Sequence, residues 1–122
     1  MTQTIVTLIE LPPPLSACFD NAHGIGRKKS ARYKTWLELM AYTMRVDGPS
    51  NSGPIRVEYE YLRPDNRKRD VFNLEKATSD LLVAHGIIAD DSLIVDGRVK
   101  WVDDFPIKRD DIQVLIRITP VE

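Results

Sequence analysis

Residues 63–76 read R-P-D-N-R-K-R-D-V-F-N-L-E-K, and the remaining elements are set out before and after this stretch. Arg67, Lys68 and Arg69 stand directly against Asp70, and Leu74, Ala77, Leu81 and Leu82 then recur at helical spacing. Asn73 suits a helix N-cap, because its side-chain oxygen can accept a backbone N–H left without a partner in the first turn. The expected helix covers residues 73–85, with Gly86 in the left-handed position that ends a helix. Asp70 then lies just ahead of the helix and Lys76 in its first turns. Helix N-termini favour anions. A carboxylate, a lysine and an arginine gathered there suit a phosphate with a divalent cation. The competing reading is a solvated, charged loop capping an ordinary helix.

The chain enters this stretch from a strand. Ile55, Val57, Tyr59 and Tyr61 alternate with Arg56, Glu58, Glu60 and Leu62, which is the period of a strand with one buried face. Upstream, residues 4–10 are rich in Ile, Val, Thr and Leu and read as a strand, ended by Pro12, Pro13 and Pro14. Residues 15–30 read as irregular and hold Asn21, His23, Gly24 and Gly26. Ser30 caps a helix over residues 31–46, with Tyr33, Trp36, Leu37, Met40 and Met44 as its apolar stripe. Residues 47–54, D-G-P-S-N-S-G-P, are turn chemistry.

Downstream, Asp90 and Asp91 precede a strand in which Leu93, Val95, Val99 and Trp101 alternate with mostly polar residues, with a bulge expected at Gly97. Ile112, Val114, Ile116 and Ile118 form a last strand, expected to make a hairpin with the one before it. Leu62, Ile94 and Leu115 point away from the buried sides of their strands and are the apolar candidates for a dimer interface. The order β-α-β-α-β-β predicts an α/β (α+β) fold, a small mixed four-stranded sheet packed with two helices. No repeat or internal boundary interrupts it, so residues 1–122 read as one domain.

Composition narrows the function. Hydrophobic residues make up 43% and charged residues 29% of the 122, as in a soluble globular chain. No apolar run approaches the ~20 residues that span a bilayer, and no signal peptide is evident. Cys18 is the single cysteine, which precludes an internal disulfide, points to a reducing compartment and offers no paired thiol for zinc. It is either a nucleophile or a small buried thiol. His23 is a base or ligand, or a loop histidine beside phosphate; His85 is a helix-end charge. Net charge is −1, so nucleic-acid binding requires local patches rather than a basic whole. Two are present: Arg27, Lys28, Lys29, Arg32 and Lys34, and Arg63 with Arg67, Lys68 and Arg69. Each alone also reads as a solvated surface.

The carboxylates suggest the chemistry. If the strand after Asp91 lies beside the strand before Asp70, both acids can reach the helix N-terminus. Convergent carboxylates bind Mg²⁺, which takes oxygen ligands and completes its shell with water and phosphate. Lys76 would neutralise the attacked phosphate or protonate the leaving oxygen, and Arg69 would clamp a phosphate through two hydrogen bonds.

R-K-R-D-V-F-N-L-E-K, with the downstream G-I-I-A-D-D, resembles the RusA family of Holliday junction resolvases, which shows a basic run, Asp-x-Asp-Asn-x-x-Lys, a helix and a downstream Asp-Asp. The upstream L-P-P-P-L-S-A-C-F resembles its proline-rich turn, so the resemblance covers most of the chain. It implies a homodimeric, Mg²⁺-dependent endodeoxyribonuclease, with Mn²⁺ as a substitute ion, that cuts four-way DNA junctions by paired symmetric nicks in recombination and repair. It implies Asp70 and Asp91 as metal ligands, Asp90 as a secondary ligand, Lys76 as essential for catalysis and Arg69 on DNA, with Asn73 in the motif. Arg67, Lys68, Arg27, Lys28 and Lys29 complete the expected DNA contacts. The expected location is the cytoplasm of a bacterial or phage-derived system, at the nucleoid, with no membrane partner.

One position departs. Phe72 stands where the family has its second aspartate, and phenylalanine cannot ligate a metal. Asp70 and Asp91 then suffice with help from Asp90 or Glu75, or the chain binds junctions and cuts them poorly, or its metal geometry differs. A structural adaptor with merely solubilising charges is the remaining reading.

Overall fold

β5 (Ile55–Leu62) carries the alternation into three dimensions: Ile55, Val57, Tyr59 and Tyr61 are buried on one face. The computed structural model describes residues 2–22, 26–107 and 111–121. β5 lies between β7 (Val114–Pro120), antiparallel to it, and β6 (Ile94–Val102), parallel to it. β1 (Thr4–Leu8) pairs with the other side of β7, and the short β4 (Arg45–Asp47) closes that edge. The mixed sheet runs β4-β1-β7-β5-β6. The fold is of the expected α+β class, with five strands in this sheet instead of the four expected.

The last two strands do not form a hairpin. β7 inserts between β1 and β5, and β6 pairs with β5 at the sheet's edge. The reason lies in their side chains. Val114, Leu115, Ile116 and Ile118 are buried on both faces, as a central strand requires. β6 carries Asp96, Arg98 and Lys100, which suit an edge. The bulge also moves. Gly97 pairs regularly with Val57, whereas the register slips between Ile55 and Arg56, which face Ile94 and Asp96. Val95 is the skipped residue, and Arg56 Nε meets Asp96 Oδ2 at 2.9 Å.

Parallel neighbours need a crossover. Here it is a 3₁₀ turn, Val71–Leu74, continuing into α3 (Glu75–Ala84). α3 and α2 (Ala31–Thr43) supply the buried Ala77, Leu81, Leu82, Tyr33, Trp36 and Met40 of the main core. Tyr59 Oη lies 2.6 Å from Ser79 Oγ, and Tyr61 Oη 2.8 Å from Thr78 Oγ1. These bonds satisfy phenols whose unpaired burial would cost about 1–3 kcal/mol each. Gly86, at φ 70°, ends α3 as expected.

Segment 15–30 is ordered rather than irregular within its described residues: α1 (Leu15–Cys18) leads into a ribbon of β2 (Phe19–Ala22) and β3 (Gly26–Lys29). Phe19 seats it, with its ring edge-on to Tyr33 at 5.6 Å. α2 stops at Thr43 instead of continuing to residue 46, because residues 45–47 pair with β1.

The second sheet face corrects the dimer candidates. Leu115 is fully buried with Phe105 and Ile112, and Leu62 packs against that cluster. Ile94 packs against the main core. Phe105, Ile107 and Ile112 pack over this face, so alternation marked a second small core and not a free surface. No helix among the described residues is long and apolar enough to cross a membrane.

Candidate nucleic-acid and metal site

Asp70 opens the crossover. Its Oδ1 accepts the Phe72 N–H at 3.0 Å, so Asp70 caps the 3₁₀ turn. Asn73, expected as the cap, sits inside the turn with its own N–H on Asp70 O at 3.2 Å. Aspartate caps as well as asparagine and its charge suits the turn's N-terminal end, so capping begins three residues early. Trp101 Nε1 donates to Arg69 O at 3.3 Å and ties this loop to the end of β6.

The basic run is organised by Asp65. Its carboxylate accepts Arg69 Nε at 3.2 Å and Arg69 Nη2 at 2.7 Å, a two-pronged pair, and also the Arg67 N–H at 2.9 Å. The Arg69 hydrogen bond, then the Arg67 backbone, hold the Asp65 carboxyl down at about 2. Lys68 is exposed. Asp70, Arg69, Asn73, Arg32 and Trp101 share a cavity of about 410 Å³ with a wall of Leu11, Pro12 and Pro14.

Lys76 lies in the first turns of α3. Its Nζ is 3.1 Å from Asp80 Oδ1 and 3.5 Å from Asp91 Oδ2. The Asp80 hydrogen bond first, and Asp91 further, push its pKa up, so it stays an ammonium. Asp91 begins a 3₁₀ turn, Asp91–Leu93, which Asp90 caps by accepting the Ser92 N–H at 3.3 Å. Bonds from the Ser92 side chain, then its backbone, lower the Asp90 pKa. Asp80, Asp90, Asp91 and Lys29 line a second cavity of about 380 Å³.

β6 does lie beside β5, as the convergence of Asp70 and Asp91 required. The pairing is parallel, Leu62 with Val102 at one end and Ile55 with Ile94 at the other. Asp70 follows the first end of β5, Asp91 precedes the other end of β6, and they line different cavities. Burial raises the Tyr59 pKa, the Ser79 bond opposes it, and the fields of Glu75 and Asp91 add to the rise.

Asp70, Asp90 and Asp91 are exposed carboxylates, the donor type of Mg²⁺. No group of three or more His, Cys, Asp or Glu among the described residues is arranged to hold a metal. Phe72, in the motif's second acidic position, is 68% exposed.

Arg27, Lys28 and Lys29 form the exposed strand β3, with the Arg27 guanidinium 5.0 Å from the Phe19 ring centroid. His23 lies outside the described residues. Cys18 is the buried thiol of the two readings: Sγ is 3.4 Å from Pro14 O, and burial raises its pKa. His85 ends α3, its N–H on Leu81 O. Sequence reading overlooked Asp80 and Asp65. Lys76 and Asp80 are spaced i,i+4 on a helix, and Pro64–Asp65 is a turn signal; either clue pointed to them.

The crossover junction endodeoxyribonucleases RusA of Enterobacteria phage 82, Escherichia coli K12 and Shigella sonnei Ss046 are each 44% identical to this chain over 46 residues. The match spans 38% of this chain and 38% of the length of each relative. Residues 17–119 match the family described as Endodeoxyribonuclease RusA, and the chain belongs to that family.

Proposed function

We propose that the chain is a structure-selective endodeoxyribonuclease that resolves four-way DNA junctions by paired symmetric nicks, acting as a homodimer with Mg²⁺. The observation that carries this reading is the Lys76 ammonium, held between Asp80 and Asp91 on the same crossover that sets Asp70 beside Arg69. Asp91 with Asp90, in the cavity they share with Asp80, and Asp70, at the other end of the strand pair, are the carboxylates that would offer oxygen ligands to Mg²⁺, with Mn²⁺ as a substitute. When bound, the ion acidifies a water and offsets charge developing at phosphorus. Lys76 neutralises the attacked phosphate or gives a proton to the leaving oxygen. Arg69 exchanges Asp65 for a phosphate oxygen pair, a geometry its planar fork already adopts. Arg67, Lys68 and the β3 residues Arg27, Lys28 and Lys29 supply backbone contacts. A four-way junction has approximate two-fold symmetry, so a two-fold dimer offers one active site per nick. The site of action is the cytoplasm, at the nucleoid.

Incubation with a synthetic four-way junction, with and without Mg²⁺, tests the proposal on a denaturing gel. Paired nicks that need the ion support it; junction binding without nicking ends the enzyme reading.

Phe72 favours a second reading, a junction-binding protein that cuts weakly, because an exposed phenyl ring occupies the turn where a further carboxylate belongs. Phe72→Asp separates the two: a large gain in nicking from an inert parent selects the second reading, and nicking by the parent that Asp70→Asn abolishes selects the first. Salt titration does not discriminate, since both bind through phosphates and release counterions.

A further inference from the structure

We infer that the cavity beside Asp70 is a pocket for a single unpaired nucleotide, with the base against Trp101 and the proline wall and the phosphate toward Arg32 and Arg69. The inference rests on the reading of the chain as a protein of branched DNA, and it assigns that protein a site that recognises one nucleotide next to Asp70.

Size and chemistry point the same way. The cavity, about 410 Å³, is of small-molecule dimensions. Its apolar part, Trp101 with Pro12 and Pro14, suits a flat ring, and stacking on an aromatic serves any base. Its charged part is the Arg32 and Arg69 guanidiniums, which suit a phosphate, beside the single Asp70 carboxylate. Asn73 adds an amide that both donates and accepts, as a base edge demands. An acidic peptide would use the arginines and leave the tryptophan and proline wall idle.

The platform is built in advance. The Trp101 indole N–H is held by Arg69 O, and Tyr61 packs against the ring edge-on at 6.3 Å. A ring already fixed loses little freedom on binding. A base within a duplex is covered on both faces, whereas a base freed at a branch point can leave the stack. The pocket therefore favours branched or single-stranded DNA over intact duplex.

The test uses the full chain and the two indole N–H resonances, Trp36 and Trp101, assigned with Trp36→Phe. Titration with a single-stranded tetranucleotide shifts the Trp101 resonance and leaves Trp36 in place. An abasic site at one position of the tetranucleotide weakens binding about tenfold. Arg32→Ala, a change at an exposed residue, weakens the intact tetranucleotide several-fold and reduces the abasic one equally. An unmoved Trp101 resonance, or equal affinity for intact and abasic strands, overturns the inference. A parallel abasic scan around the branch point of a four-way junction keeps the two readings apart. Normal nicking with no position-dependent loss sinks the pocket alone. A shifted Trp101 resonance with no junction binding sinks the nuclease reading and leaves the pocket standing.

Discussion

Lys76 reaches from the start of α3 to place its Nζ 3.5 Å from Oδ2 of Asp91, at the entry to β6. This ion pair is the direct link between the two halves of the candidate site, and Asp80 holds the lysine from below. The raised Lys76 pKa acts in the direction usual for a lysine with partners. Its contribution to stability is present below the ordinary value of 10.5 and is lost as pH rises through the folded value. Asp80→Asn should lower the Lys76 pKa more than Asp91→Asn, because Asp80 is the larger cause. Titration of the Lys76 side-chain resonances by NMR checks the order.

Asp70 has two separable duties. Asp70→Ala removes the cap on Phe72 N–H and should cost about 1 kcal/mol in urea denaturation. Asp70→Asn keeps a capping oxygen and should stay within about 0.5 kcal/mol of the parent. Both should abolish junction nicking. A nicking-competent Asp70→Asn would contradict the assignment of the carboxylate.

The Asp65–Arg69 pair should survive mild acid. The folded carboxyl titrates at about 2, below the ordinary 3.8, so its contribution is complete above 3.8 and disappears as pH falls toward 2. The Asp65 carboxyl carbon, followed by NMR from pH 5 to 1.5, should show its midpoint near the lower end of that range.

Phe72→Asp should change stability by less than about 0.5 kcal/mol, since the ring is 68% exposed and the turn is capped by Asp70. Its effect should fall on Mg²⁺-dependent nicking, which should rise. Denaturation midpoints and single-turnover nicking rates measure the two independently.

Leu115→Ala should destabilise by about 3 kcal/mol, because Leu115 is fully buried in the second small core. The oligomeric state, followed by analytical ultracentrifugation, should not change. A dimer lost with stability intact would restore Leu115 to the interface.

Local patterns carried much of this protein. The alternation of Ile55, Val57, Tyr59 and Tyr61, the helical spacing of Leu74, Ala77, Leu81 and Leu82, and Ser30 as a cap each depend on neighbours a few residues away, and each appears as read. So does the basic run against Asp70, which is contiguous. Strand order was another matter. Whether β7 joins β6 or slips between β1 and β5 depends on how much apolar surface each strand must bury on both faces, a property of the assembled sheet. Because β6 pairs in parallel with β5, Asp70 and Asp91 enter from opposite ends of the strand pair. Residue types and their order announced the acids, the lysine and the arginines; the direction of one strand decided which of them meet, since hydrogen-bonded pairing, unlike helix spacing, is settled between segments far apart in the chain.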